Sequence, residues 1–132
     1  MRNGLLGMLV VCWALMAAVS VQADTAEVAI KDAVVCREVV DRAPVGAAEV
    51  FPKDLPRVYC FCRVTGMQGE GAIVHNWYYQ GALKASIKLP VRAANWRTWS
   101  YKAISPDQAG EWMVEILTES GTALESVVFN VQ

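Results

Sequence analysis

The sequence has a single histidine, His75, and that scarcity limits the chemistry the chain can perform. A nucleophilic serine or cysteine needs a neighbouring base, most often histidine, and an acid that orients the base. No nucleophile-elbow motif accompanies His75, and the carboxylates are scattered as on a solvated surface rather than grouped as in a glycosidase. We therefore expect a protein that is not an enzyme and that needs no cofactor.

The sequence also has no excess of either positive or negative charge. The chain has 12 basic and 13 acidic residues, a formal net charge of −1, and the two signs are interspersed. Nucleic-acid-binding domains and basic membrane-surface segments carry a cluster of lysine and arginine instead. The charge pattern thus excludes both classes and names no partner.

Long apolar runs are nearly absent, and the one that exists lies at the N-terminus. It covers about fifteen residues, from Leu5 to Val19, whereas a membrane span needs about 20. Arg2 precedes the run, and small residues follow it with a cleavage site after Ala23, as in a secretory signal peptide. We predict that residues 1–23 are removed. Residues 24–132 then form a single domain, periplasmic or secreted, without stable membrane insertion.

No amphipathic helical period, internal repeat or low-complexity tract follows the signal peptide, and apolar residues alternate instead. In RVYCFCRVT, at 57–65, Cys60 and Cys62 share the apolar face of a half-buried strand. Similar segments recur at 28–40, 72–79, 83–91, 97–104, 111–117 and 123–131. We predict an all-β fold, an antiparallel β-sandwich of about seven strands with an immunoglobulin-like layout; an open barrel is the alternative.

The connections between these segments carry turn signals. GMQGEG and YYQGAL resemble hairpin loops, and SPDQAG and TESG resemble tight reversals. The longest irregular segment, DRAPVGAAEVFPKDLP, contains three prolines and is expected to cross an edge of the sandwich with a short helical turn.

Cysteine is scarce too, and Cys12 lies within the predicted signal peptide. Export would bring the other three to a compartment where disulfides persist. Cys60 and Cys62 are two residues apart on one strand, too far for an unstrained bridge. We predict a disulfide from Cys36 to Cys60, or alternatively to Cys62. No metal is expected, although these cysteines and His75 have the ligand types of a soft metal site.

Four motifs, CREVVDRAP, HNWYY, WRTWS and GEWMVEI, resemble the signature of a bacterial family known as domain of unknown function 2914. The resemblance extends from about Val28 to the C-terminus. It departs from the family at Ala43, where an acidic residue is expected, and at Cys62, which is peculiar to this chain. Membership would imply an all-β domain, often exported or membrane-tethered, and no known reaction.

The hairpin around YYQGAL allows two registers. A two-residue loop pairs Trp77 with Lys84, and a three-residue loop pairs it with Ala85. Burial of Trp77 is favoured because Ala85 and Ile87 belong to an apolar partner face. His75 shares the face of Trp77, where it is interpreted as a hydrogen-bonded core or rim residue and kept as a candidate binding residue.

WRTWS has two faces. Trp99 alternates with Tyr101 and is predicted to lie in the core, whereas Trp96 alternates with polar Thr98 and is predicted to lie at the rim. Arg97 begins the strand, so its guanidinium can emerge from the sandwich. Tryptophan and arginine dominate binding hot spots, and the guanidinium fork suits carboxylates. We predict a recognition edge at Trp96 and Arg97.

The sequence therefore predicts an exported, non-catalytic β-sandwich that binds an envelope protein or glycan. One alternative is a structural accessory domain without a small ligand. The other is a metal or redox protein that uses Cys36, Cys60, Cys62 and His75.

Overall fold

The computed structural model describes residues 27–132, so the predicted signal peptide lies outside the described residues. These residues form ten β-strands and no helix. The strands are β1 (Ala29–Cys36), β2 (Glu38–Val40), β3 (Ala43–Val45), β4 (Val50–Phe51), β5 (Arg57–Thr65), β6 (Gly71–Tyr79), β7 (Ala82–Val91), β8 (Asn95–Ala103), β9 (Gly110–Thr118) and β10 (Ala123–Val131). No helix within this range could span a membrane.

The strands form two principal sheets and one small hairpin. The three-stranded sheet has the order β1-β5-β8, and the five-stranded sheet has the order β4-β10-β9-β6-β7. All neighbours are antiparallel except β10 and β4. Separate sheets packed on a common core confirm the all-β, sandwich-like prediction. The seven predicted segments correspond to the long strands, and β2 continues the first of them.

The proline-containing segment differs from the prediction, because it forms β3 and β4 and contains no helical turn. β2 and β3 pair around Asp41 and Arg42, whose φ angles of 50° and 61° belong to a tight two-residue hairpin. The chain then follows the free edge of β1, where the Ala48 amide donates to the Val35 carbonyl at 3.2 Å. Pairing with the two sheet edges thus replaces the expected helical turn.

Two of the four predicted turns connect the sheets instead of closing hairpins. GMQGEG joins β5 to β6 and SPDQAG joins β8 to β9, and each crosses from one principal sheet to the other. YYQGAL and TESG do close hairpins, since β6 pairs with β7 and β9 with β10. Turn residues mark a reversal, but the sheet that the next strand joins depends on its burial pattern.

The β6–β7 hairpin combines both registers that the sequence allowed. Its loop has two residues, because Tyr79 pairs with Ala82. A register shift at Trp77 then brings that residue opposite Ala85. Burial of Trp77 is confirmed, since its side chain is fully enclosed.

The core between the sheets is centred on aromatic rings. Phe129 stacks on Trp112 with ring centroids 6.1 Å apart and makes edge contacts with Phe51 at 5.8 Å and Trp77 at 6.1 Å. Edge-to-face and stacked pairs each stabilise a core by about 0.5–1.5 kcal/mol beyond the area they bury. These rings all belong to the five-stranded sheet, and the three-stranded sheet supplies the other half of the core, mainly through β5 with Val35 of β1.

Candidate functional site

A cluster of buried polar side chains crosses the core between the two principal sheets. His75 of β6 lies with Nδ1 2.7 Å from the Ser100 hydroxyl of β8, and the Trp77 indole N–H donates to the same hydroxyl at 3.1 Å. On its other side, Nε2 of His75 lies 3.6 Å from the Cys62 sulfur of β5. The two principal sheets are therefore joined by hydrogen bonds as well as by apolar packing.

The two titratable side chains of this buried polar cluster, His75 and Cys62, are both uncharged at neutral pH. Burial lowers the pKa of His75 from 6.5 to about 4, because the charged imidazolium loses its hydration. Burial likewise raises the pKa of Cys62 to about 12. A nucleophilic cysteine needs a lowered thiol pKa and access to substrate, and Cys62 has neither. His75 is also fully buried, so it does not reach the surface where a partner would bind.

The two faces of WRTWS are the reverse of the prediction. Thr98 and Ser100 are buried on the inner face of β8, and Trp96 shares that face and packs partly against the core. Trp99 lies on the outer face, where it stacks on Phe61 with centroids 6.4 Å apart. The prediction counted polar residues as solvent-facing, but hydrogen bonding to His75 and Trp77 satisfies the Ser100 hydroxyl within the core.

The predicted disulfide from Cys36 to Cys60 or Cys62 is absent, since all three residues are free thiols. The register of β1 and β5 explains why. Cys36 is opposite Tyr59, whereas Cys60 is opposite Val35. Cross-strand partners share a face, so Cys36 points away from the core side that holds Cys60 and Cys62. Side chains on opposite faces do not have the Cβ approach that a disulfide requires.

The same separation divides the proposed metal ligands. Within residues 27–132, no group of three or more histidine, cysteine, aspartate or glutamate side chains is arranged to hold a metal ion. Cys62 and His75 are in contact, but Cys36 lies on the other side of the sheet.

A surface cleft lies at the β8 edge, close to the predicted recognition edge. Its volume is about 370 Å³, and it is lined by Arg42, Pro90, Trp96, Arg97, Thr98 and Trp99. The structure thus brings Trp96 and Arg97 together at one site. The prediction did not place four of its members in the site: Arg42 of the β2–β3 hairpin, Pro90 of β7, and Thr98 and Trp99 of β8.

Arg42 is positioned by two contacts. Its carbonyl accepts a hydrogen bond from Nη1 of Arg97 at 3.2 Å, and its guanidinium carbon lies 5.6 Å from the Trp96 ring centroid. Its positive φ is uncommon for a long side chain and costs about 1–2 kcal/mol. The sequence signal for this placement is incomplete, because Asp41 suits a two-residue hairpin turn but arginine stands where glycine is usual.

Both arginines are exposed, and neither pairs with a carboxylate of residues 27–132. The ion pairs within residues 27–132 are Arg63 with Asp32 and Lys88 with Glu119. The guanidinium groups of Arg42 and Arg97 are therefore available to an external anion.

Aromatic side chains continue from the cleft along the outer face of β8. Beyond Trp99, the rings of Tyr101 and Tyr59 lie 5.5 Å apart, and Arg57 lies over the Tyr101 ring at 5.0 Å. Tyr101 is 51% exposed. The outer face of β8 thus presents Arg97, Trp99 and Tyr101 in a row.

These features define an all-β, sandwich-like protein with a cationic, aromatic cleft at one edge. Residues 70–131 match the family described as "Protein of unknown function (DUF2914)". The match confirms the resemblance to this family over β6 to β10, the part of the chain that contains HNWYY, WRTWS and GEWMVEI; CREVVDRAP lies outside the matched residues. No curated protein matches the chain.

Proposed function

We propose that this protein is an exported, non-catalytic β-sandwich module, immunoglobulin-like in layout, that binds a carboxylate-bearing partner in the envelope. The binding site is the cleft formed by Arg42, Trp96, Arg97 and Trp99. Export is inferred from the N-terminal sequence pattern and would make the protein periplasmic or secreted.

The observation that carries the proposal is the placement, beside two tryptophans, of two exposed arginines that have no carboxylate partner in the described part of the chain. A guanidinium donates two parallel hydrogen bonds to one carboxylate, and such charge-assisted bonds are about twice as strong as neutral ones. The tryptophan rings supply apolar surface for the part of the ligand next to its carboxylate. The cleft therefore suits an acidic sugar or an acidic peptide.

The hairpin supports this reading because its geometry orients Arg42. The two-residue turn of the hairpin requires the left-handed conformation that Arg42 adopts. The Arg97 side chain donates a hydrogen bond to the Arg42 carbonyl and so holds the turn. A ligand would meet a preformed pair of guanidinium groups, so less side-chain freedom would be lost on binding.

The test measures binding of two carboxylate probes, an oligomer of glucuronic acid and a hexaglutamate peptide, with a neutral glucose oligomer as the uncharged reference. We expect at least one acidic probe to bind the wild type, and Arg42→Gln with Arg97→Gln to weaken that binding by about tenfold or more. Lys84→Gln removes an exposed charge elsewhere and should leave it unchanged. Failure of both acidic probes to bind, or equal effects of the Lys84 and arginine variants, would reject the proposal.

A structural accessory role without a ligand is the second candidate, favoured by the hydrogen bond from Arg97 to the Arg42 carbonyl. If Arg97 serves only to hold the β2–β3 hairpin, Arg97→Gln should lower the melting temperature and Arg42→Gln should not. If it serves binding, both variants should retain the wild-type melting temperature within a few degrees.

A further inference from the structure

The opposite edge of the sandwich is open. A groove of about 600 Å³ lies between β1 of the three-stranded sheet and β10 of the five-stranded sheet. Its walls are formed by residues 33–35, 47–49 and 125–128. Because the order of the small sheet is β1-β5-β8, this groove and the arginine cleft lie at opposite edges.

Backbone groups of β10 point into the groove without a neighbouring strand. The amides of Asn130 and Gln132 donate to the carbonyls of Glu49, just before β4, and of Phe51, in β4, at 2.8 and 3.0 Å. Amide directions alternate along a strand, so the amide and carbonyl of Val128 point toward the same side. β4 pairs with β10 only at Asn130 and Val131. Within residues 27–132, no strand pairs with Val128 on that side.

The amide of Ser126 also points toward the groove. Its N–H donates to the carboxylate of the preceding Glu125 at 3.0 Å. In a paired strand, the carbonyl of a neighbouring strand would accept the hydrogen bond from this N–H. The Glu125 side chain therefore occupies the place of a strand carbonyl, and an incoming strand would displace it.

The groove is apolar inside and acidic at its rim. Ala33 and Val127 face the core but are only partly buried, because none of the strands that the structure describes closes the sandwich between them. Glu49 and Glu125 are exposed, and neither belongs to an ion pair within the described residues. The register shift of β1, between Lys31 and Val34, falls within the groove, whereas that of β10, between Ala123 and Glu125, precedes Ser126 and Val128, so β10 offers the more regular edge there.

We propose that this groove binds an extended, basic segment of another protein, which adds as a strand to the free edge of β10. Its backbone would pair with Ser126 and Val128, in continuation of β4. Small apolar side chains at alternate positions would pack against Ala33 and Val127, and lysine or arginine at its ends would pair with Glu49 and Glu125. Strand addition of this kind derives affinity from backbone hydrogen bonds and specificity from alternate side chains.

The test uses a labelled heptapeptide with valine or alanine at positions two, four and six, threonine between them and lysine at both ends. Its counterparts carry glutamate at both ends, or an N-methylated central amide. We expect the lysine peptide to bind at least about tenfold more tightly than either counterpart. The Val128 amide should become protected from hydrogen exchange when this peptide binds.

Two variants locate the site. Glu49→Lys with Glu125→Lys should reverse the preference, so that the glutamate peptide binds more tightly. Glu70→Lys with Asp107→Lys makes the same change of charge at exposed positions outside the groove and should preserve the wild-type preference. Val128→Pro removes the outward N–H of β10, although it also fixes φ at about −65°, and should abolish peptide binding. If this variant does not fold, the N-methylated peptide tests the backbone pairing from the other side, through the hydrogen bond that the peptide donates.

Several outcomes would overturn the proposal. They are a lysine peptide that does not bind, a preference unchanged in the Glu49 and Glu125 variant, and a Val128 amide that stays unprotected. Protection of Val128 by self-association without peptide would show that a second copy of this chain covers the edge. None of these results depends on the arginine cleft, so this proposal and the proposed function fail or stand separately.

Discussion

The hydroxyl oxygen of Ser100 lies 2.7 Å from Nδ1 of His75 and 3.1 Å from the indole nitrogen of Trp77. Ser100 belongs to the three-stranded sheet and the other two residues to the five-stranded sheet. A single hydroxyl thus satisfies two buried nitrogens across the core. Because buried polar groups are costly when unpaired, this contact constrains how the two sheets align.

Removal of this hydroxyl should destabilise the fold. We expect Ser100→Ala to lower the free energy of unfolding by about 2–4 kcal/mol, because it leaves the His75 and Trp77 nitrogens without partners. Urea denaturation of wild type and variant measures the difference. The control is Ser86→Ala, an exposed strand position, which should change stability by less than about 0.5 kcal/mol. Equal effects of the two substitutions would contradict the role of Ser100.

Stability should depend on pH through His75. Its pKa falls from 6.5 to about 4 on folding, so the unfolded state binds more protons between these pH values. The full stability is present above pH 6.5 and declines as the pH drops toward 4, by about 3 kcal/mol in total. Denaturation at a series of pH values measures this slope. His75→Gln should flatten the curve in that window, whatever its effect at pH 7; an unchanged slope would show that His75 is not the group responsible.

The three thiols should be unreactive in the folded protein. Cys36, Cys60 and Cys62 are buried, and burial raises the pKa of each of them. We expect alkylation to modify them in denaturant and to be slow without it. Addition of a reductant should leave the melting temperature unchanged, because these three cysteines form no disulfide that it could break. Peptide mapping that finds Cys36 linked to Cys60 or Cys62 would contradict the strand register.

The tryptophans of the two sheets should differ in their effect on stability. Trp77→Ala should cost about 3–5 kcal/mol, because the side chain is fully enclosed by the core. Trp99→Ala should cost only about 1–2 kcal/mol, since its ring is partly buried on the outer face. Thermal or chemical unfolding of both variants tests the order. A larger loss for Trp99 would support the orientation of β8 that the sequence predicted.

Several features were predictable because they depend on local alternation. The segment RVYCFCRVT forms β5 with Cys60 and Cys62 facing the core, as its period of two indicated. Burial of Trp77 also followed from the apolar face that contains Ala85. Arg97 could be placed at the surface because it is a long charged residue near the start of a strand. In each case the neighbours along the chain carried the necessary information.

The sequence by itself determined the all-β class, the positions of the long strands and the family that residues 70–131 match, because strand alternation and short motifs are local properties. Only the tertiary structure decided which face of β8 is inside. Thr98 and Ser100 are polar and buried, and the Ser100 hydroxyl finds its hydrogen-bond partners on another sheet. The opposite faces of Cys36 and Cys60 likewise follow from the pairing of β1 with β5. Such pairings join residues distant in sequence, so no local pattern contains them.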